Sequence, residues 1–298
     1  LISRAFAAIL FFILRPWPIG IRFSITDLKK YLPFGWQYHL NTVIGTINGG
    51  VAPVLVGGLL GVTALGFVNW AAGVGAFPRS LGEIVGWMLF PIGARVQHKR
   101  IVLKKIIERS LEFISMVSFP LVAMMLALAK PLTYIVFTGK WEQGIPLLYL
   151  FTIQSGFLVF SVLFTNALLG IGEARIVRNI NLLGAILQWS FTYILIKAFG
   201  LLGYGLGALV SSFVFFIQLS ILKKHVSLAL THHSLPQLLY ALLSGVFTYI
   251  YTLIFPVQSA AQIIIAAFFG LFLYGALLLV FQRMAIVRNF TDLRKTLS

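Results

Sequence analysis

Residues 85–129 read VGWMLFPIGARVQHKRIVLKKIIERSLEFISMVSFPLVAMMLALA, and the order of parts in this stretch decides the fold. An apolar run closes at Ala94, a gap holds Arg95, Lys99, Arg100, Lys104, Lys105 and Arg109, and a second apolar run fills 110–129. A helix of roughly 17–25 apolar residues crosses a hydrocarbon core about 30 Å thick. Working outward, the same reading gives spans at 1–14, 33–56, 64–94, 110–129, 144–169, 180–196, 204–222, 236–255 and 260–281. All but the first are long enough. They lack the period-2 alternation of a barrel strand, so each is expected to be a helix, which satisfies its backbone internally.

The basic residues sort between the gaps. Arg15, Arg22, Lys29 and Lys30 occupy the first gap, and the six just quoted the third. Arg175 and Arg178 lie in the fifth, Lys223 and Lys224 in the seventh, and Arg283, Arg288, Arg294 and Lys295 in the tail. The even gaps carry only Lys130, Lys140 and Lys197. The positive-inside rule then puts the odd gaps and the C-terminus on the cytoplasmic face. Of the 23 basic residues, Arg4 and Arg79 alone fall inside spans.

With 59% apolar and 10% charged residues and a mean hydropathy of +0.97, too little polar surface remains for a water-soluble globule. Topology accounts for most of the net charge of +16, so no nucleic-acid partner is expected. Cysteine is absent, which excludes disulfides and thiolate metal sites. Residue 1 is Leu, and the first stretch begins without a cap or charged flank. The chain is therefore expected to be part of a longer protein, with an odd number of spans preceding if that protein starts inside.

Two cytoplasmic segments invite a local reading. Ser24 to Lys30 is expected to form a short interfacial helix capped by Thr26 or Asp27. In 99–113, Leu103, Ile106, Ile107, Leu111 and Ile114 recur at helical spacing opposite Lys104, Lys105, Glu108 and Arg109. That segment lies along the interface or extends the following span.

The second span carries Gln37, His39, Asn41, Asn48, Gly45, Gly49, Gly50 and Pro53. Glycine and proline weaken a helix, and freed backbone groups at membrane depth are tolerated where they face protein or a wet cavity. Gly45, Gly49, Gly50 and Pro53 mark a hinge in a cavity-lining helix; the alternative is a close-packing Gly45-x3-Gly49 face with the amides bonding neighbouring helices. Arg79 stands midway along the third span with Glu83 one turn on. An arginine at mid-bilayer costs about 2.5–3.5 kcal/mol on insertion scales, so it needs a partner and a protein-facing position. Either the pair fixes packing, or Arg79 draws an anionic group into a transport pathway. Arg4, eleven residues before Arg15, lies about 16 Å from the interface at 1.5 Å per residue and is the second intramembrane cation. The five histidines show no metal-ligand spacing, and no phosphate loop, zinc-protease motif or nucleophile elbow is present. No metal, cofactor or catalytic residue is expected.

Four segments in order, Leu60-Gly61-Val62-Thr63-Ala64-Leu65-Gly66-Phe67-Val68-Asn69-Trp70-Ala71, Leu89-Phe90-Pro91, Phe137-Thr138-Gly139-Lys140-Trp141 and Leu168-Leu169-Gly170-Ile171-Gly172, resemble the Wzx-type polysaccharide flippases of the multidrug/oligosaccharidyl-lipid/polysaccharide (MOP) superfamily. The resemblance implies an all-α membrane bundle of nine transmembrane helices, the first truncated: a MATE-like C-terminal lobe and an extra helix pair. Residues 1–32 would be the last helix of a missing N-terminal lobe and a linker, 33–222 the six-helix lobe, and 223–298 the extra pair and a cytoplasmic tail. It further implies flipping of a lipid-linked oligosaccharide, undecaprenyl-diphosphate-linked, across the bacterial inner membrane for surface polysaccharide such as O-antigen lipopolysaccharide. Membrane lipids and a coupling ion, H⁺ or Na⁺, would be partners. From their own chemistry and not from a family motif, Arg4, Arg79, Glu83, His39 and Asn48 are expected to line the pathway.

Two other functions compete. A multidrug/cation antiporter of the same superfamily would need intramembrane carboxylates for its cation, and Glu83 is the one deep in a span. A polysaccharide polymerase or ligase would need a large outer loop with catalytic residues, which the short far-side gaps do not supply.

Overall fold

A computed structural model of the chain describes residues 2–14, 24–96, 98–226, 228 and 231–297; the side chains of 2–4, 7–9, 81, 231–233 and 282–297 lie outside that description. The described residues form twelve α-helices with two short irregular helical turns. Among the described residues seven stretches are long and apolar enough to cross a membrane: 25–60, 100–135, 139–170, 174–199, 201–225, 234–254 and 260–281.

Two compact units make up the chain, 1–36 and 37–298. The first holds α1 (Ile2–Leu14) and the opening turns of α2 (Ile25–Gly49). α1 exposes Phe6, Phe11, Ile13 and Leu14. Ser24 Oγ accepts the Asp27 N–H at 3.2 Å, so Ser24 caps the helix in place of Thr26 or Asp27. Residues 25–30 are the first turns of the long α2 and not a separate interfacial helix.

In the second unit α2 is followed by a π-helical turn at Ala52–Gly57 and by α3 (Gly58–Leu60). Next come α4 (Val62–Gly75), α5 (Phe77–Val96) and α6 (Arg100–Ile135). α7 (Ile145–Gly170) and α8 (Ala174–Phe199) precede α9 (Leu201–Ser212) and α10 (Val214–His225). α11 (Thr231–Ile254) and α12 (Ala260–Leu297) close the chain.

The expected span 64–94 is two helices. Pro78 has no N–H for the ladder and its ring crowds the carbonyl one turn back. α4 accordingly ends at Gly75, and the amides of Arg79 and Ser80 both turn to Ala76 O, at 3.0 and 3.2 Å. The expected span 204–222 likewise divides at Phe213 into α9 and α10. The basic segment 99–113 extends the following span: α6 runs unbroken from Arg100, and Leu103, Ile107, Leu111 and Ile114 are buried on one face of it.

α7 is the central helix. It is apolar nearly all round, as a helix enclosed by neighbours must be, and buries Leu147, Leu148, Phe151, Val159, Leu163 and Phe164. Lipid tails are as apolar as leucine, so helices in a bilayer associate through close packing more than through hydrophobic burial. Glycine makes that closeness possible. A Cβ on Gly75, Gly82, Gly86 or Gly93 would come within 2.9 Å of Phe151, 1.9 Å of Val159, 2.8 Å of Val162 or 3.3 Å of the Gly170 Cα. The close-packing small-residue face therefore belongs to α4 and α5. At Gly45 and Gly49 a Cβ would meet nothing within 4 Å. The α11–α12 pair fastens onto α6 similarly, since a Cβ on Gly245 would meet Ala123 at 3.0 Å, and within the pair Ser244 Oγ donates to Gly270 O at 2.5 Å.

Candidate functional site

Within this bundle the polar side chains of α2 and α5 meet those of α7 to α10 around two adjoining cavities. The smaller, about 220 Å³, is walled by Asn48, Arg79, Gln154, Ser155, Gln188 and Tyr204 among others. The larger, about 260 Å³, includes Asn41, Asn48, Ser161, Asn181, Ser211 and Gln218. Asn48 and Leu158 belong to both walls, so the two form one polar cleft.

The α4–α5 break sets Arg79 in the first turn of α5, beside that cleft. Its Nε stands 2.9 Å from Glu83 Oε1, with the two side chains 36% and 25% exposed. That Nε nonetheless lacks a hydrogen bond, so it faces the carboxylate by charge, without hydrogen-bond alignment. A pair this exposed is screened and holds the helix weakly.

The rest of the cleft is neutral. Gln154 Nε2 donates to Ala208 O at 2.8 Å, Ser161 Oγ to Gln218 Oε1 at 2.7 Å, and Gln218 Nε2 to Thr165 Oγ1 at 3.1 Å. Gln188 donates to Thr192 Oγ1 at 3.2 Å and accepts from Ser211 Oγ. Asn48 Oδ1 is buried and unpaired. An unpaired buried acceptor costs about 1–3 kcal/mol, which a donor entering the cleft relieves.

Above Asn48 the helix changes form. Gly50 N bonds Ile47 O at 3.0 Å, Val54 N reaches Gly50 O at 3.0 Å, and the π-helical turn follows with Pro53 in its first turn. Such turns recur at functional sites, because they widen the ladder by one residue.

Of the residues singled out in the sequence, the structure gathers Asn48, Arg79 and Gly45 on the cleft walls and Glu83 beside Arg79. His39 is exposed and absent from both walls, and the Arg4 side chain lies outside the described residues. Gly49, Gly50 and Pro53 form the change of helix above the cleft. The sequence reading passed over Gln154, Ser155, Ser161, Asn181, Gln188, Ser211 and Gln218. Their signal was available: polar residues set singly in apolar spans at helical spacing, each needing a partner inside the bundle. Among the described residues no group of three or more His, Cys, Asp or Glu could hold a metal ion.

Residues 1–146 match the family described as "Polysaccharide biosynthesis protein". An uncharacterized membrane protein in the cps region of Klebsiella pneumoniae is 24% identical over 65% of the chain and 40% of that protein. Lipopolysaccharide biosynthesis protein WzxC of Escherichia coli (strain K12) is 26% identical over 44% of the chain and 27% of its own length. Among solved structures, lipid II flippase MurJ in an inward closed conformation superposes with a TM-score of 0.67 at 13% identity, over 94% of this chain and 59% of that one. An outward-facing MATE family transporter of the MOP superfamily gives 0.57 at 19% identity, over 74% and 53%. The fold is thus that of the MurJ and MATE transporters, and the chain spans less than two thirds of each protein it matches here.

Proposed function

We propose that this chain, a polysaccharide-flippase relative within the MOP superfamily, carries the substrate path of a flippase for a lipid-linked oligosaccharide. One observation carries the reading: a polar cleft with a cation, Arg79, on its wall lies inside an apolar helical bundle. A sugar diphosphate cannot enter hydrocarbon unaided, since an ionised group there loses its hydration. Amides and hydroxyls lining the cleft replace water around the sugar, and Arg79 leaves its misaligned contact with Glu83 to meet a phosphate.

The cargo is an undecaprenyl-diphosphate-linked glycan moving outward across a bacterial inner membrane, with the basic gaps and the C-terminus cytoplasmic. Residues 33–222 act as one lobe and 223–298 as the accessory pair. A second lobe, to which Arg4 and α1 belong, moves against the first, so that the cleft opens to each side in turn. The glycine-proline segment 45–53 is the hinge. Glu83 is the carboxylate through which an H⁺ or Na⁺ gradient couples.

A translocation assay tests this. The full-length protein is reconstituted with a fluorescent lipid-linked oligosaccharide, and outward movement is read by quenching. Arg79→Ala should lower the rate at least about tenfold, the loss of one charge-assisted contact. Unchanged flipping by a normally inserted variant removes Arg79 from the path.

A further inference from the structure

The wall of the larger cavity is shared by α2, through Asn41, Ile44, Gly45 and Asn48, and by α8, through Ile180, Asn181 and Gly184. No residue of α2 is buried. Two polar rungs, one helical turn apart, join these two helices. Asn181 Nδ2 donates to Asn41 Oδ1 at 3.0 Å, and Arg178 Nη1 donates to Gln37 Oε1 at 2.5 Å. The same guanidinium gives Nε and Nη2 to the Asn179 amide oxygen at 3.1 and 2.6 Å. The acceptors recorded for Arg178 among the described residues are thus neutral amides.

Charge makes this arrangement exchangeable. A guanidinium binds a phosphate oxygen about twice as strongly as an amide oxygen and in a two-pronged geometry. Arg178 also sits in the second turn of α8, just past the first turn, whose positive end favours an anion. A phosphate arriving there meets the guanidinium, the helix end and Arg175 close by in sequence, and Gln37 is the weaker competitor.

We infer that Arg178 is an entrance site for a phosphate-bearing headgroup, and that its capture of the phosphate frees Gln37 and lets residues 37–49 of α2 swing from α8, opening the cleft beneath. The inference rests on the flippase reading for the identity of its ligand but not for its geometry. Deeper in the cleft Arg79 is already faced by Glu83, so Arg178 takes the first contact and Arg79 the second. The upper rung, Asn41 with Asn181, is the part that re-closes when the headgroup has passed.

The absence of native cysteine allows a direct test in which no transport is measured. Tyr38→Cys and Leu182→Cys, both exposed in the structure, take spin labels in the full-length protein held in phosphatidylcholine nanodiscs. Farnesyl diphosphate should lengthen the label distance, and farnesol should leave it unchanged. Arg178→Gln should raise the half-effective diphosphate concentration about tenfold or more, with Arg178→Lys intermediate. Gln37→Glu, which turns the rung into an ion pair, should raise it too while shortening the resting distance.

Equal opening by diphosphate in Arg178→Gln overturns the site. Equal opening by phosphatidylglycerol nanodiscs alone overturns the cargo as the source of the phosphate. A protein that opens on diphosphate yet fails to flip the oligosaccharide leaves the entrance site standing and removes the flippase reading instead.

Discussion

Gly93 and Gly170 lie backbone against backbone where α5 crosses α7: a Cβ on Gly170 would stand 3.1 Å from the Gly93 Cα and 3.1 Å from Phe90 O. Leu89-Phe90-Pro91 and Leu168-Leu169-Gly170-Ile171-Gly172 therefore form one contact, although some eighty residues separate them. Gly170→Ala should overpack this crossing and cost about 1–3 kcal/mol. Thermal unfolding in detergent measures it. Gly66→Ala, where a Cβ meets nothing within 4 Å, serves as the control and should unfold at the same temperature or slightly above.

The other two family-like segments meet as well. Trp70 and Trp141 stack with centroids 5.2 Å apart, Phe137 meets Trp70 edge-on at 5.6 Å, and Phe67 meets Trp141 at 6.0 Å. Lys140 lies 5.5 Å over the Trp141 ring. Trp141→Ala removes the stack, the edge contact and the cation partner at once, and should cost about 1–3 kcal/mol. The same unfolding experiment reads it, and the stack's loss should change the tryptophan fluorescence.

Charge sorting and apolar length made the helical membrane class legible before any coordinates, because both follow from the cost of moving charge into hydrocarbon. The breaks at Ala76 and Phe213 were not legible from length: each leaves the apolar run intact, and Pro78 alone hinted at the first. Gly45 and Gly49 share the spacing of a packing face with Gly82 and Gly86, yet only the latter pair is in close contact. Spacing cannot say which glycine face meets a neighbour. For the site, Arg79 and Asn48 stood out by charge and polarity, whereas Arg178 looked like one more topological cation. Its role depends on Gln37, 141 residues away, and such a partner is visible only once α2 and α8 are side by side.

Removing one member of the Arg79–Glu83 pair differs from removing both. Glu83→Gln leaves an unmatched cation beside the cleft and should cost about 1 kcal/mol, a modest figure because both side chains are partly exposed. Arg79→Leu with Glu83→Leu removes both charges and should recover most of that loss, as apolar replacement of ion pairs often does. If the pair only fixes packing, the double variant keeps its transport rate. The flippase reading requires the stable double variant to lose it.

The hinge can be tested without disturbing packing. A Cβ at Gly49 meets nothing within 4 Å, so Gly49→Ala introduces no clash. Alanine favours the helix over glycine by about 0.5–1 kcal/mol, and the variant should unfold at the same temperature or slightly above. What it removes is the ease with which α2 changes form before the π-helical turn at Ala52–Gly57. Motion about this point sets how far residues 37–49 travel, so the translocation rate should fall several-fold while farnesyl diphosphate affinity stays. Pro53→Ala, which restores an N–H to the ladder, should act in the same direction. A stiffer, equally stable Gly49→Ala protein that flips at the parent rate would move the hinge elsewhere, to the α4–α5 break at Ala76 beside Arg79, where Pro78→Ala repeats the test.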